Sequence, residues 1–210
     1  GAAMCTESRP PSGFPKASPA CPGVKVPKDA PIFNGIALEL AIQVPSNAYG
    51  FRYEHQFFSM EYPQFICNDT NDAFVALLES EHPSVPADRN ISFDAQGNLV
   101  SVNTGLFQVC EGVTAGGRVY TCPHGTADLS DTGFIGQVLF GEKVVRQGGA
   151  TGWLRTEAAV VPGETIKLRF AIWDAGDPQV DSTVLIDNFS WLVDEGKSPE
   201  VAEPETYILL

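Results

Sequence analysis

The chain has 210 residues, 43% hydrophobic and 19% charged, enough to bury one sizeable core and of a length that fits a single domain. Thirteen Lys and Arg against 26 Asp and Glu give a net charge of −13, a field that repels phosphate backbones and anionic lipid heads and so argues against nucleic-acid or membrane-surface partners. No run approaches the roughly 20 apolar residues needed to cross a bilayer as a helix, so direct membrane insertion is not expected.

Twenty Gly, 16 Pro and 13 Phe, with no helical period of any length, predict short strands joined by many turns. The expected fold is all-β, a jelly-roll-like β-sandwich of about eight strands with extended N- and C-terminal tails. Residues 1–33 form a Pro-rich arm: Pro10, Pro11, Pro15, Pro19, Pro22, Pro27 and Pro31 remove backbone donors and favour extended chain. It opens Gly1-Ala2-Ala3-Met4 without a charged and apolar leader, so an export signal is expected to have been removed or to lie outside this sequence.

The sandwich is expected over residues 34–192. Ile36, Leu38, Leu40, Ile42 and Val44 alternate with Ala37, Glu39, Ala41 and Gln43, the pattern of a half-buried strand. An aromatic-rich strand follows over 50–62, then a short apolar run over 73–78, and turn residues between Phe93 and Leu99 predict a hairpin. Residues 105–150 read as long loops with one strand near Phe134 to Phe140. Alternation returns at Trp153 to Val161, turns at Pro162-Gly163 and resumes with Ile166, Leu168, Phe170 and Ile172; Pro presets φ and Gly supplies the positive φ of a type II turn. Thr183 to Leu192 is the last strong strand. Residues 193–210 form an acidic tail with the apolar tip Tyr207-Ile208-Leu209-Leu210.

Asp174, Asp177, Asp181 and Asp187 lie between Ile172 and Asp187 without a Lys or Arg among them, and a cation would relieve their repulsion. The period of two puts Asp187 on one face with Leu185, Phe189 and Trp191, where an isolated charge is costly. Ca²⁺, a hard ion taking six to eight oxygens, is the expected structural partner, with Glu61, Asn71 and Asp72 as further ligands. The alternative is that these are turn residues and solvated loop charges.

Asn71-Asp72-Ala73-Phe74-Val75-Ala76-Leu77-Leu78, Asn90-Ile91-Ser92-Phe93-Asp94, Gly152-Trp153-Leu154, Pro162-Gly163-Glu164-Thr165-Ile166 and Asp181-Ser182-Thr183-Val184-Leu185-Ile186-Asp187-Asn188-Phe189 resemble the choice-of-anchor domains of bacterial surface and secreted proteins. The resemblance covers roughly Ile36 to Leu192. It implies an extracellular or cell-surface β-sandwich with no established enzymatic activity. The chain departs from the usual architecture in showing no sorting signal, lipobox or C-terminal membrane segment.

An enzyme is not expected. GxSxG, HExxH and P-loop motifs are missing from the sequence, and His55, His82 and His124 are far apart. Paired carboxylates such as Glu54 with Glu61 are what glycoside hydrolysis would use, yet surface and strand-edge acids are far commoner than catalytic pairs. A carbohydrate-binding module is the rival reading, with Trp153, Trp173 and Tyr53 as the aromatic surfaces on which sugar rings would stack.

Cys5, Cys21, Cys67, Cys110 and Cys122 show no metal-binding spacing, so disulfides and an oxidising compartment are expected. Cys5 with Cys21 and Cys110 with Cys122 are the nearest pairs, Cys67 with either of the latter two being the alternative. The expected role is a surface structural or adhesive subunit whose tails, above all Tyr207, Ile208, Leu209 and Leu210, bind neighbouring copies to build a homo-oligomer or filament.

Overall fold

A computed structural model describes residues 4–7, 10–14, 21, 31–193 and 204–209. Among them are fifteen strands: β1 (Met4–Glu7), β2 (Ile32–Gln43), β3 (Ala48–Ser59), β4 (Ala73–Glu79), β5 (Val100–Ser101), β6 (Phe107–Val109), β7 (Val113–Ala115) and β8 (Arg118–Tyr120), then β9 (Gly136–Phe140), β10 (Lys143–Gln147), β11 (Gly149–Thr151), β12 (Leu154–Ala159), β13 (Thr165–Ala175), β14 (Ser182–Val193) and β15 (Glu205–Ile208). The only helical turn among the described residues is a 3₁₀ turn at Ala127–Leu129. The fold is an all-β sandwich of curled antiparallel sheets.

The first sheet runs β1-β2-β13-β4-β5. The second is built around β3, which carries β14 along one edge and β12 then β11 along the other, with β15 outside β12 and β6 outside β11. Alternation sorts the faces. Phe51, Tyr53, His55 and Phe57 of β3 meet Ile166, Leu168 and Phe170 of β13 in the buried core, where the Tyr53 and Phe170 rings lie edge to face at 5.0 Å. The turn between β12 and β13 forms as its residues predict: Gly163 has φ +82° and Glu164 donates to the Val161 carbonyl at 3.2 Å.

Outside the first sheet lies a smaller apolar cluster of Ala37, Val75, Ala171 and Trp173, and Phe14 of the arm packs on it edge to face with Trp173 at 6.2 Å. The arm is thus a strap with an anchor. Cys21 is bonded to Cys67, not to Cys5, which sits in β1 opposite Leu38. Nearness in sequence was the wrong guide, because Cys5 is held in the β1–β2 ladder while Cys21 meets the loop between β3 and β4. The Cys110–Cys122 bond forms as expected.

Residues 105–150 hold more order than their sequence announces. Besides β9, near the expected strand, this stretch contains β6, the β7–β8 hairpin, β10 and β11. Strands of three to five residues are too short to show alternation.

Candidate functional site

Three carboxyl groups are buried together at one end of the sandwich: Glu61 just after β3, Asp72 just before β4 and Asp174 in β13. Each is 2–5% exposed. The Asp72 N–H donates to Glu61 Oε2 at 3.1 Å, while Asp72 itself accepts from the Ser182 hydroxyl at 2.7 Å and from the Ala175 N–H at 3.3 Å. Asn34 Nδ2 donates to Asp174 Oδ2 at 2.7 Å. Asn71 stands behind them, its N–H on the Ala175 carbonyl and its Oδ1 accepting from Asn103.

None of the ion pairs among the described residues involves these three acids. Burial and mutual repulsion therefore favour their protonated forms. Asp72 is pushed up to about 8, chiefly by burial and then by the neighbouring Asp174 charge, against the pull of the Ser182 hydrogen bond. Burial and the Asp72 charge raise Glu61 well above the carboxylate range, and Asp174 is raised by burial despite its bond from Asn34. Asp177 and Asp181 are near enough for their charges to add to this repulsion, although Asp181 is exposed. As they stand, no three His, Cys, Asp or Glu groups among the described residues are set to hold a metal ion. The arrangement can share protons, or it can take a cation if the carboxylates close on it.

Six of the seven expected metal-site residues thus gather at this end of the molecule, and Asp187 does not. It lies opposite Glu54 in the β14–β3 ladder, exposed on the outer face of the second sheet. It stands five strand residues from Ser182 along an unbroken ladder, and just past it comes a bulge between Asp187 and Ser190, with Asn188 at φ +52°. One extra residue inverts the alternation, so Leu185 and Asp187 face outward while Trp191 beyond the bulge faces the core against Phe51. The expected common face of Asp187, Phe189 and Trp191 does not exist.

On that outer face runs a groove of about 680 Å³ lined by Glu54, Gln56, His124, Trp153, Asp187 and Asn188, among others. Arg155 Nη2 donates to Glu54 Oε1 at 2.5 Å and Asn188 Nδ2 to Oε2 at 2.6 Å; these two bonds hold the Glu54 carboxyl below its ordinary range. Gln56 Nε2 is fixed on the Thr151 carbonyl at 2.8 Å. Of the aromatic residues expected to meet sugars, Trp153 lines the groove at 36% exposure, whereas Tyr53 and Trp173 are fully buried. Tyr53 is part of the main core and Trp173 lies beneath Phe14, because each stands on the packed face of its strand. Glu54 and Glu61 also part company, one in the groove and the other in the buried cluster. Sequence reasoning overlooked Arg155 and Asn188; the one legible signal was that Arg52, Glu54 and Gln56 alternate with the aromatic residues of β3.

The C-terminal strand lies against its own domain. β15 pairs with β12, Ile208 opposite Leu154 and Tyr207 opposite Arg155, and Leu209 donates to the Trp153 carbonyl at 2.8 Å. Leu210 is outside the described residues. The Thr206 hydroxyl shares a hydrogen bond with Thr156 Oγ1 at 2.8 Å, and Thr156 leads through Ser92 Oγ to His55 Nε2, the latter step 3.1 Å long. This Ser92–His55 contact is not a nucleophile pair: both residues are fully buried, and His55 Nδ1 lacks any partner that would orient the ring.

The fold is a β-sandwich braced by two disulfides, a pairing that belongs to domains of oxidising compartments, and no helix among the described residues is long and apolar enough to cross a membrane. The family model of the choice-of-anchor L domain matches residues 29–191, and the chain belongs to that family of surface-associated bacterial proteins. No curated protein and no solved structure gives a significant match.

Proposed function

We propose that the chain serves as a structural or adhesive domain of a bacterial surface protein, braced by Ca²⁺ at the Glu61–Asp72–Asp174 cluster. The observation carrying this reading is the burial of three carboxyl groups with no cationic side chain paired to them among the described residues. Protons stabilise such a cluster at low pH, and a divalent cation would do the same at neutral pH, with the Asn71 carbonyl or main-chain oxygens completing its shell. Such binding would tie the end of β13 and the start of β14 to the head of β4, and would add stability in proportion to Ca²⁺ occupancy. Melting temperature in EGTA against millimolar Ca²⁺, with titration calorimetry, tests it; identical melting and no heat of binding would remove Ca²⁺ from the function.

Self-assembly is the second element. β15 is a four-residue edge strand, and residues 194–203 link it to β14. Its slot on β12 lies about 15 Å from β14, three strand spacings across the sheet, well within the reach of ten residues. The same leash would let β15 enter the slot of a neighbouring copy, joining subunits through contacts already satisfied within one chain. Light scattering and electron microscopy of the full chain, with and without residues 203–210, decide between a monomer and an assembly.

The glycan-binding reading is supported by one observation, the half-exposed Trp153 in the outer groove.

A further inference from the structure

We propose that the outer groove is a binding site for a neutral oligosaccharide, with Trp153 as the ring platform, the Glu54–Asn188 pair as the hydroxyl-recognition group and the C-terminal strand as one wall. It rests on the glycan-binding reading and deepens it by naming the ligand chemistry and the residues.

The groove is open to solvent and sets an apolar side, the Trp153 ring with Phe58, Val109 and Leu209, against carboxylate, amide and imidazole groups. A sugar ring matches that mixture: its C–H face packs on an aromatic surface, and its hydroxyls donate and accept at once. Glu54 and Asp187 accept, Asn188 and Gln56 carry amides that do both, and His124 adds a ring nitrogen. Charge narrows the ligand class. Acidic glycans face carboxylates here and a chain charge of −13, while the Glu54 charge is already met by Arg155.

The groups are also held in place. Arg155 and Asn188 fix both oxygens of Glu54, and Gln56 is anchored on Thr151, so little side-chain ordering remains to be done on binding. The C-terminal strand completes the site. Leu209 lines the groove and its N–H holds the Trp153 carbonyl, while Ile208 packs so close to the preceding residue that a Cβ on Gly152 would stand 3.0 Å from it. A tail moved out of its slot would free the backbone of Trp153, so occupancy of the groove and placement of β15 are linked.

The test is titration calorimetry of the full chain with linear neutral hexaoses of glucose, xylose and mannose, alongside a uronic-acid hexamer and spermine as charged controls. The expected result is binding of at least one neutral hexaose. Affinity should drop at least tenfold, or 1.4 kcal/mol, in Trp153→Ala and also in Asn188→Gly, with urea midpoints showing that both variants fold. Trp153→Phe, which keeps a ring, should retain most of the affinity. A wild-type chain that binds none of the neutral hexaoses removes the glycan reading altogether. Neutral binding unchanged in both Trp153→Ala and Asn188→Gly leaves glycan recognition standing but overturns this site, and binding of spermine or the uronate alone overturns the ligand class.

Discussion

Ser182, the first residue of β14, donates a 2.7 Å hydrogen bond to Asp72 at the head of β4, and so joins the two sheets of the sandwich through one carboxyl group. The same group accepts from the Ala175 N–H at the end of β13. The end of β13, the start of β14 and the head of β4 therefore meet on an acid whose ionisation is costly.

Stability without added divalent cation should fall as pH rises through neutrality. Folded Asp72 titrates near 8, against roughly 4 in an unfolded chain, so its contribution is whole below about pH 4 and lost as pH rises through 8. His55 runs the other way: burial holds it to about 3, so its contribution is complete above an unfolded value of roughly 6.5 and lost as pH falls toward 3. The two slopes oppose each other between pH 4 and 6.5, roughly the overlap of these ranges. Between about pH 6.5 and 8 the carboxyl effect stands alone and amounts to up to about 2 kcal/mol per titrating group. Urea midpoints in EGTA at the two ends of this window check it; Asp72→Asn should flatten the profile.

Calcium should act most where the protons have left. Millimolar Ca²⁺ is expected to raise the melting temperature more at pH 8 than at pH 6; a hundredfold excess over Kd corresponds to about 2.7 kcal/mol of added stability. Glu61→Gln with Asp174→Asn should erase the difference between Ca²⁺ and EGTA at both values.

Reduction of Cys21–Cys67 should release the arm. The bond closes a span of 46 residues, worth about 4 kcal/mol in the chain-entropy account. Cys67→Ser is expected to lose stability on that scale and to free Phe14 from Trp173, read as a red-shifted tryptophan emission. Peptide mapping without reduction should recover Cys21 joined to Cys67; a Cys5–Cys21 peptide would contradict the strap.

The bulge at Asn188 makes a sharp comparison. Its φ of +52° suits Asn or Gly, so Asn188→Val should cost about 1–2 kcal/mol more than Asn188→Gly, although both lose the bond to Glu54. Chemical denaturation of the two variants separates backbone strain from the lost hydrogen bond.

Thr206→Val should loosen the C-terminal strand. The hydroxyl accepts from the Phe93 N–H, donates to the Ile91 carbonyl and meets Thr156, and its loss leaves buried groups unpaired at about 1–3 kcal/mol. Faster hydrogen exchange at Leu209, whose N–H holds the Trp153 carbonyl, is the measurement.

Much of this protein was legible in its residues because alternation and turn chemistry are local. Ile166, Leu168 and Phe170 face the core as their spacing says, and Pro162-Gly163 turns where its φ preferences require. Glu61, Asp72 and Asp174 are buried together, although only Asp174 belongs to the cation-free run of acids read from the sequence. Tertiary structure decided the rest. Asp187 stands five strand residues along β14 from Ser182, too far to join that cluster, and a single bulged residue beyond it put Trp191 on the opposite face; nothing in a period of two announces where a ladder will slip. Cys21 found Cys67, and Tyr53 and Trp173 were buried while Trp153 was left in a groove, because those outcomes depend on which strands become neighbours. Residue pattern determines which side of a strand is apolar; pairing across long separations determines what that side meets, and so where a site can form.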